Sequence, residues 1–210
     1  MENFSQWLTT IKAEEADNIA RTAKNYFLDK IPFSFSVRVL NENDLDEVLA
    51  LQKEIAKKAT LRQNNKEEFI ESLKNGVWIG IFDENQQLEA YTVFELEFLD
   101  NNILLYLKAT VKREERLKGF QKQTLELRKK LGGNLAEKSM IPFGGGYATC
   151  HPENVRCTNN LTSSGMYRLF HVKALYGDSP KGDRDIYGYG DIFDLKDLLF
   201  EKWDALEIEG

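Results

Sequence analysis

In the stretch VKREERLKGFQKQTLELRKK, Val111 to Lys130, a single glycine, Gly119, lies among cations between an apolar run and a helical pattern. A glycine where strand gives way to helix frees the backbone to present N–H groups to a close neighbour. The amides of Leu117 to Gln121 would then point along the helix axis at its positive end, a backbone site suited to phosphate oxygens. Arg116 and Lys118 would add charge at its mouth. It is not a Walker loop, because no G-x-x-x-x-G-K-[ST] occurs in the chain. The same glycine also fits a plain tight turn with its cations on a solvated face, and both readings stand at this point.

Other residues of chemical interest are scattered. His151, in YATCHPEN, belongs to the residue type that titrates near neutrality, so it is a candidate general base, or a histidine that merely caps a turn. Glu95 and Glu97 alternate with Phe94, Leu96 and Phe98 and so share one face of a strand. They could collect a cationic substrate or deprotonate it through water, or line a solvated face. His171, inside an apolar strand, reads as structural. Cys150, His151 and Cys157 are too few, at the wrong spacing, for zinc. Cys150 and His151 are strand neighbours that point to opposite faces, so they form no nucleophile–base pair. Cys150 and Cys157 fall on a strand and the helix after it, a poor setting for a disulfide. The triglycine Gly144 to Gly146 precedes a strand, which suits a bulge or loop better than a phosphate site.

The apolar spacing lays out the elements that must position these residues. Glu2 to about Asp29 reads as a helix, with Trp7, Leu8, Ile11, Ile19, Ala23 and Phe27 near helical spacing and Pro32 beyond it. SFSVRVL reads as a strand, and Asn43 or Asp44 as the cap of a helix burying Leu45, Val48, Leu49 and Ile55. Lys66 to Leu73 makes a short helix stopped at Asn75–Gly76. GVWIGIF, LEAYTVFELEFL and ILLYLKATV, parted by DENQQ and DNN, form an antiparallel meander. The helix after it buries Phe120, Thr124, Leu127 and Leu131 and ends at Gly132–Gly133. Then come a loop containing PFGGG, the strand YATCH, a helix in PENVRCTNNLTSSG, a strand pair and a terminal helix LKDLLFEKW. The order is that of an α+β protein with one mixed sheet.

On three features the sequence resembles the GNAT superfamily of acyl-CoA-dependent N-acyltransferases. Arg116 to Gln121, R-L-K-G-F-Q, is similar to that family's Gln/Arg-x-x-Gly-x-Gly/Ala loop, and it follows a strand and opens a helix. YATCHPEN looks like the next strand, with Asn154 at the position of the family's asparagine. NVRCTNNLTSSGM resembles the helix that begins there and closes on Gly-Phe, here Gly165–Met166.

The resemblance implies a mixed, mostly antiparallel central sheet flanked by helices over 34–195, with a helical extension at 1–33 and a short helix and acidic tail at 196–210. It implies acetyl-CoA or another acyl-CoA as co-substrate, and no metal. The pantetheine arm would lie along the backbone of Ala109 to Val111, with the N–H near Val111 polarising the carbonyl. The pyrophosphate would rest on Leu117, Lys118, Gly119, Phe120 and Gln121 beside Arg116, and Asn154 would orient the pantetheine. An amine acceptor, small molecule or peptide, would attack the thioester directly. Two positions depart from the family pattern. Gln121 stands where Gly or Ala is preferred, and Leu161 stands where a tyrosine often protonates the thiolate, with Tyr167 and Ser164 nearby. His151, Glu95 and Tyr167 are then the catalytic candidates. The rival expectation is a non-catalytic module of the same fold that binds acyl-CoA or a protein partner.

The bulk composition narrows the partners. The 210 residues carry 42% hydrophobic and 30% charged side chains and a net charge of -6. That balance disfavours nucleic acid and anionic membranes and suits a cationic acceptor. The basic series from Lys112 to Lys130 is broken by Glu114, Glu115 and Glu126. Two cysteines, no signal-like segment and no long apolar run lead to the expectation of a reduced cytoplasm. Trp7, Trp78 and Trp203 are expected to supply aromatic surface for a homodimer.

Overall fold

The computed structural model describes residues 2–56, 65–113, 119–204 and 206–209, with backbone alone at Glu2, Asn3 and Ala109. Arg116, Leu117 and Lys118 therefore lie outside the described residues. The elements are α1 (Glu2–Phe27), β1 (Ser36–Val39), α2 (Leu45–Ala56), α3 (Lys66–Asn75), β2 (Gly76–Phe82), β3 (Leu88–Leu99) and β4 (Asn102–Lys112). They continue as α4 (Phe120–Glu137), β5 (Phe143–Cys150), α5 (Val155–Ser163), β6 (Tyr167–Val172), β7 (Arg184–Tyr189), α6 (Ile192–Lys202) and β8 (Ile208–Glu209). The strand order is β1-β2-β3-β4-β5-β7-β6-β8, a mixed and mostly antiparallel sheet in which β4 and β5 run parallel. Among the described residues no helix is long and apolar enough to cross a membrane.

Contacts group the chain into two compact units: Met1–Glu95 with Ala109–Leu131, and Leu96–Lys108 with Gly132–Gly210. In the first, α1 buries Leu8, Ile19, Ala23 and Phe27, residues that recur at or near four-residue intervals on one helix face. Trp78 is 1% exposed, wedged between Phe69 (ring centroids 4.6 Å) and Tyr91 (5.1 Å). It is core, not dimer surface, because an indole on a fully buried strand finds its apolar contacts inside. Its N–H is satisfied by Ser72 Oγ at 3.1 Å. The cap before α2 is Asn41, whose side chain accepts from the Asn43 amide while Asp44 reaches back to the Asn41 amide, so a short 3-10 turn precedes the helix.

One polar residue shares the buried stripe of α1. Lys12 follows Leu8 by one turn and donates to the carbonyls of Leu73 and, at 3.1 Å, Lys74, the orphan acceptors that end α3. Burial pushes its pKa down to about 8 from 10.5, and the Glu95 carboxylate opposes that shift. The folded chain thus releases this proton at a lower pH than the unfolded chain does, so stability rises as pH climbs from 8 to 10.5. Lys12→Met removes this rise. The gap in unfolding midpoint between parent and variant, followed with pH, should move in the parent's favour across that window, and parallel curves would contradict the assignment.

The second unit departs from sequence expectation in four places. The helix does not stop at Gly132–Gly133 but runs to Glu137. Gly132 is there for close packing, since a Cβ would sit 2.3 Å from Leu105 Cδ1. The strand β5 takes in the triglycine, and the register slips between Ile103 and Leu104 so that Gly144 is bulged out, with Gly145 at φ +110°. The pair Ile208–Glu209 adds a short edge strand to β6, where Lys173 binds Glu207 and Glu209. Trp203 also packs inward, edge-on to Tyr147 at 5.7 Å.

Candidate functional site

The Gly119 turn is built on a firm base. Phe120 is 1% exposed and its ring meets Phe27 at 5.0 Å, which nails down the first residue of α4. Hydrogen-bonded hydroxyls link Thr92 to Thr110 and Thr110 to Thr124, each at 2.9 Å, so β3, β4 and the first turn of α4 are stitched together. Thr124 also donates to the Gln121 carbonyl at 2.8 Å, and Val111 packs into the core below. Over this base Gly119 is exposed at φ +73°. Among the described residues a Cβ here would meet only Gln123 Nε2, at 3.8 Å. Its glycine identity answers to backbone conformation, since among the described residues no other atom comes near that Cβ position.

In the second unit, β4 and β5 pair in parallel from Ile103↔Phe143 to Tyr106↔Tyr147. Among the described residues that ladder ends there, although both strands continue. At the parting the Tyr106 and Tyr147 rings stack at 4.7 Å and 3°. The Tyr106 hydroxyl lies 3.2 Å from Thr149 Oγ1 on the continuing β5 and 2.7 Å from the Tyr176 hydroxyl. Beneath the stack, Tyr147 donates to Glu97 at 2.7 Å, and Lys202 bonds both Glu97 (2.5 Å) and the Tyr147 oxygen (2.6 Å). Burial first, then the Glu97 charge, raises the Tyr147 pKa well above 10, so it remains a neutral donor. A chain of tyrosine and threonine hydroxyls at a strand fork can pass a proton to or from a reacting group. Sequence reading missed Tyr106, Thr149 and Tyr176. The available signal was a phenol inside an apolar strand, which on burial must find a partner.

The sequence candidates fall differently. His151 Nδ1 accepts from the Glu153 amide at 3.2 Å, so Nε2 carries the proton and faces the Pro180 carbonyl at 3.2 Å. Both nitrogens are thus occupied in holding a turn. Glu95 is 7% exposed and accepts from Ser72, in the group that includes Lys12 and Trp78. Glu97 belongs with Tyr147 and Lys202, so neither carboxylate lies on a solvated sheet face. Tyr167 is 61% exposed on β6. Asn154 caps α5, its side chain accepting from the Cys157 amide at 3.0 Å. Gln121 is half-buried in the first turn of α4.

A cavity of about 370 Å³ is bordered by Asp100, Asp191, Asp194, Asp197, Glu201 and Phe143. It opens where β4 and β5 begin, at the end of their ladder away from Tyr106. Its acidity suits a cation, but its place separates it from the fork.

No protein-family model matches the sequence, and no curated protein matches it. Solved structures do match the fold. Arabidopsis thaliana NAA60 in complex with acetyl-CoA superposes with a TM-score of 0.56 at 14% identity, covering 74% of this chain and 98% of that one. Arabidopsis thaliana Naa50 with the bisubstrate analogue CoA-Ac-MVNAL gives 0.56 at 13%, covering 75% and 99%. The spermidine/spermine N-acetyltransferase SpeG from Vibrio cholerae gives 0.52 at 13%, covering 74% and 91%.

Proposed function

With the GNAT fold as premise, we propose that this chain transfers an acetyl or other acyl group from acyl-CoA to an amine. The observation that carries the reading is the hydroxyl cluster Tyr106–Thr149–Tyr176 standing where β4 and β5 part. The pyrophosphate sits on the amides opening α4 at Gly119, Phe120 and Gln121, where the backbone is held from below and, among the described residues, a Cβ on Gly119 would meet only Gln123 Nε2. Arg116, Leu117 and Lys118 precede them. The backbone of Ala109 to Val111 takes the pantetheine amides, and Asn154 steadies the start of α5 beside that arm. The amine attacks the thioester carbon, its proton passes to solvent water, and the sulfur takes a proton as the bond to carbon breaks. Tyr106 is the donor to that sulfur, and Tyr176 and Thr149 hold its hydroxyl in place. In this scheme Tyr106 fills the role for which Tyr167 is the sequence candidate, and His151, expected as a general base, holds a turn. Glu95 contributes only to folding, through Ser72 and Lys12. The acceptor is an amine of a polyamine or a peptide, the classes named for the superposed structures.

Thermal unfolding with and without acetyl-CoA tests the first half, because a ligand bound only by the folded state raises the midpoint. Release of CoA thiol with spermidine or a short peptide as acceptor tests the second. A midpoint indifferent to acetyl-CoA would overturn the reading. A raised midpoint with no thiol release from any amine would leave a coenzyme-binding module in its place.

A further inference from the structure

The three threonines that stitch β3, β4 and α4 together do more than pack. Thr92 and Thr124 are fully buried, and Thr110 between them is half-buried. A buried hydroxyl costs free energy unless it finds a partner, and valine, of the same shape, carries no such demand. Each hydroxyl has a single proton, so the bonds fix one another's direction. Thr124 gives its proton to the Gln121 carbonyl at 2.8 Å, a group that can only accept. At 2.9 Å it therefore accepts from Thr110, and Thr110, its own proton used, accepts at 2.9 Å from Thr92. The result is a one-way chain of hydrogen bonds that starts on β3 and ends on the Gln121 carbonyl.

That carbonyl belongs to the same peptide group as the Lys122 amide. Among the described residues Gln123 makes the first amide bond of α4, to the Gly119 carbonyl at 3.3 Å. The amides before it, Lys122 included, point out of the helix end with no acceptor inside the helix. A carbonyl that accepts a hydroxyl proton draws electron density through its peptide group and makes the N–H on the other side a stronger donor. Each hydroxyl in the chain polarises the next in the same sense. Thr110 also lies within the Ala109–Val111 segment assigned to the pantetheine, so one side chain links the two halves of the coenzyme's seat. Resting on the acyl-CoA reading above, we propose that Thr110 is a positioning residue for the coenzyme's diphosphate. Its hydroxyl holds β4 and the opening turn of α4 in register and strengthens the Lys122 amide as a donor to a phosphate oxygen. Thr110 touches no reacting atom and acts through Thr124 and the Gln121–Lys122 peptide.

The test is isothermal titration of acetyl-CoA into the parent chain, Thr110→Val and Thr110→Ser, each also melted without ligand. Thr110→Val should bind about tenfold more weakly, the scale of one charge-assisted hydrogen bond, and Thr110→Ser, which restores the hydroxyl, should bind within about twofold of the parent. A hydroxyl that served folding alone would lower the unliganded midpoint and leave the dissociation constant unchanged. Thr92→Val cuts the chain one hydroxyl earlier, keeps Thr110 on Thr124, and should weaken binding about threefold. It carries the test if Thr110→Val does not fold. Parent-like affinity in the folded valine variant, or a loss that serine does not recover, would overturn the role of Thr110 and leave the coenzyme site in place. A parent chain that binds no acetyl-CoA would instead overturn the acyl-transfer reading, and the role of Thr110 with it.

Discussion

Gly119→Val abolishes the rise in unfolding midpoint that acetyl-CoA produces in the parent chain. The residue sits at φ +73°, where a β-branched side chain is strained by roughly 2 kcal/mol. That cost falls on the unliganded fold and lowers its midpoint. The liganded shift is a separate quantity. A Cβ at this position contacts nothing nearer than Gln123 Nε2 at 3.8 Å among the described residues, so the valine methyls project into the space assigned to the pyrophosphate. At a coenzyme concentration of about 100 Kd the parent gains about 2.7 kcal/mol, and a hundredfold loss of affinity leaves only about 0.4 kcal/mol. Gly119→Ala shares the conformational penalty with less bulk and should keep part of the shift. Isothermal titration alongside the melts separates the two effects. An undiminished shift in the valine variant would mean that the diphosphate lies elsewhere.

Tyr106→Phe lowers kcat about a hundredfold or more while leaving the acetyl-CoA shift in place. Phenylalanine keeps the stack on Tyr147, at 4.7 Å and 3°, so the wall of the fork is preserved. What disappears is the hydroxyl between Thr149 (3.2 Å) and Tyr176 (2.7 Å), and its loss from a part-buried cluster costs the fold about 1 kcal/mol. A residue with only a structural role would show that stability cost and an unchanged kcat. Tyr176→Phe, one bond further from the fork, should show a smaller fall in kcat. Full activity in Tyr106→Phe would remove this tyrosine from the proton path and leave the fork as a binding slot only.

Local rules carried some parts of the chain further than others. The meander was legible because DENQQ and DNN are turns by composition and the strands between them are continuous apolar runs. Gly165 past the end of α5 (φ +73°) followed from cap chemistry, while Asn154 at its start was reached through the family resemblance. Gly132–Gly133 misled for the same local reason. Paired glycines signal a helix end, but here Leu105 packs against the glycine surface and the helix continues to Glu137. Trp78 misled in the opposite way, since nothing local says that both faces of β2 are covered.

The sequence by itself determined the order of elements, the α+β class and the position of the glycine turn, because strand periodicity, helix caps and turn residues act over a few neighbouring residues. The tertiary structure alone decided which polar groups meet. Tyr106 and Tyr176 are seventy residues apart in the chain yet share a hydrogen bond, and Tyr147 joins Glu97 to Lys202 from three distant elements. It likewise placed Lys12 on the end of α3. Such meetings depend on register and on the path of the chain through space, which no local pattern encodes, and that is where the candidate chemistry lies.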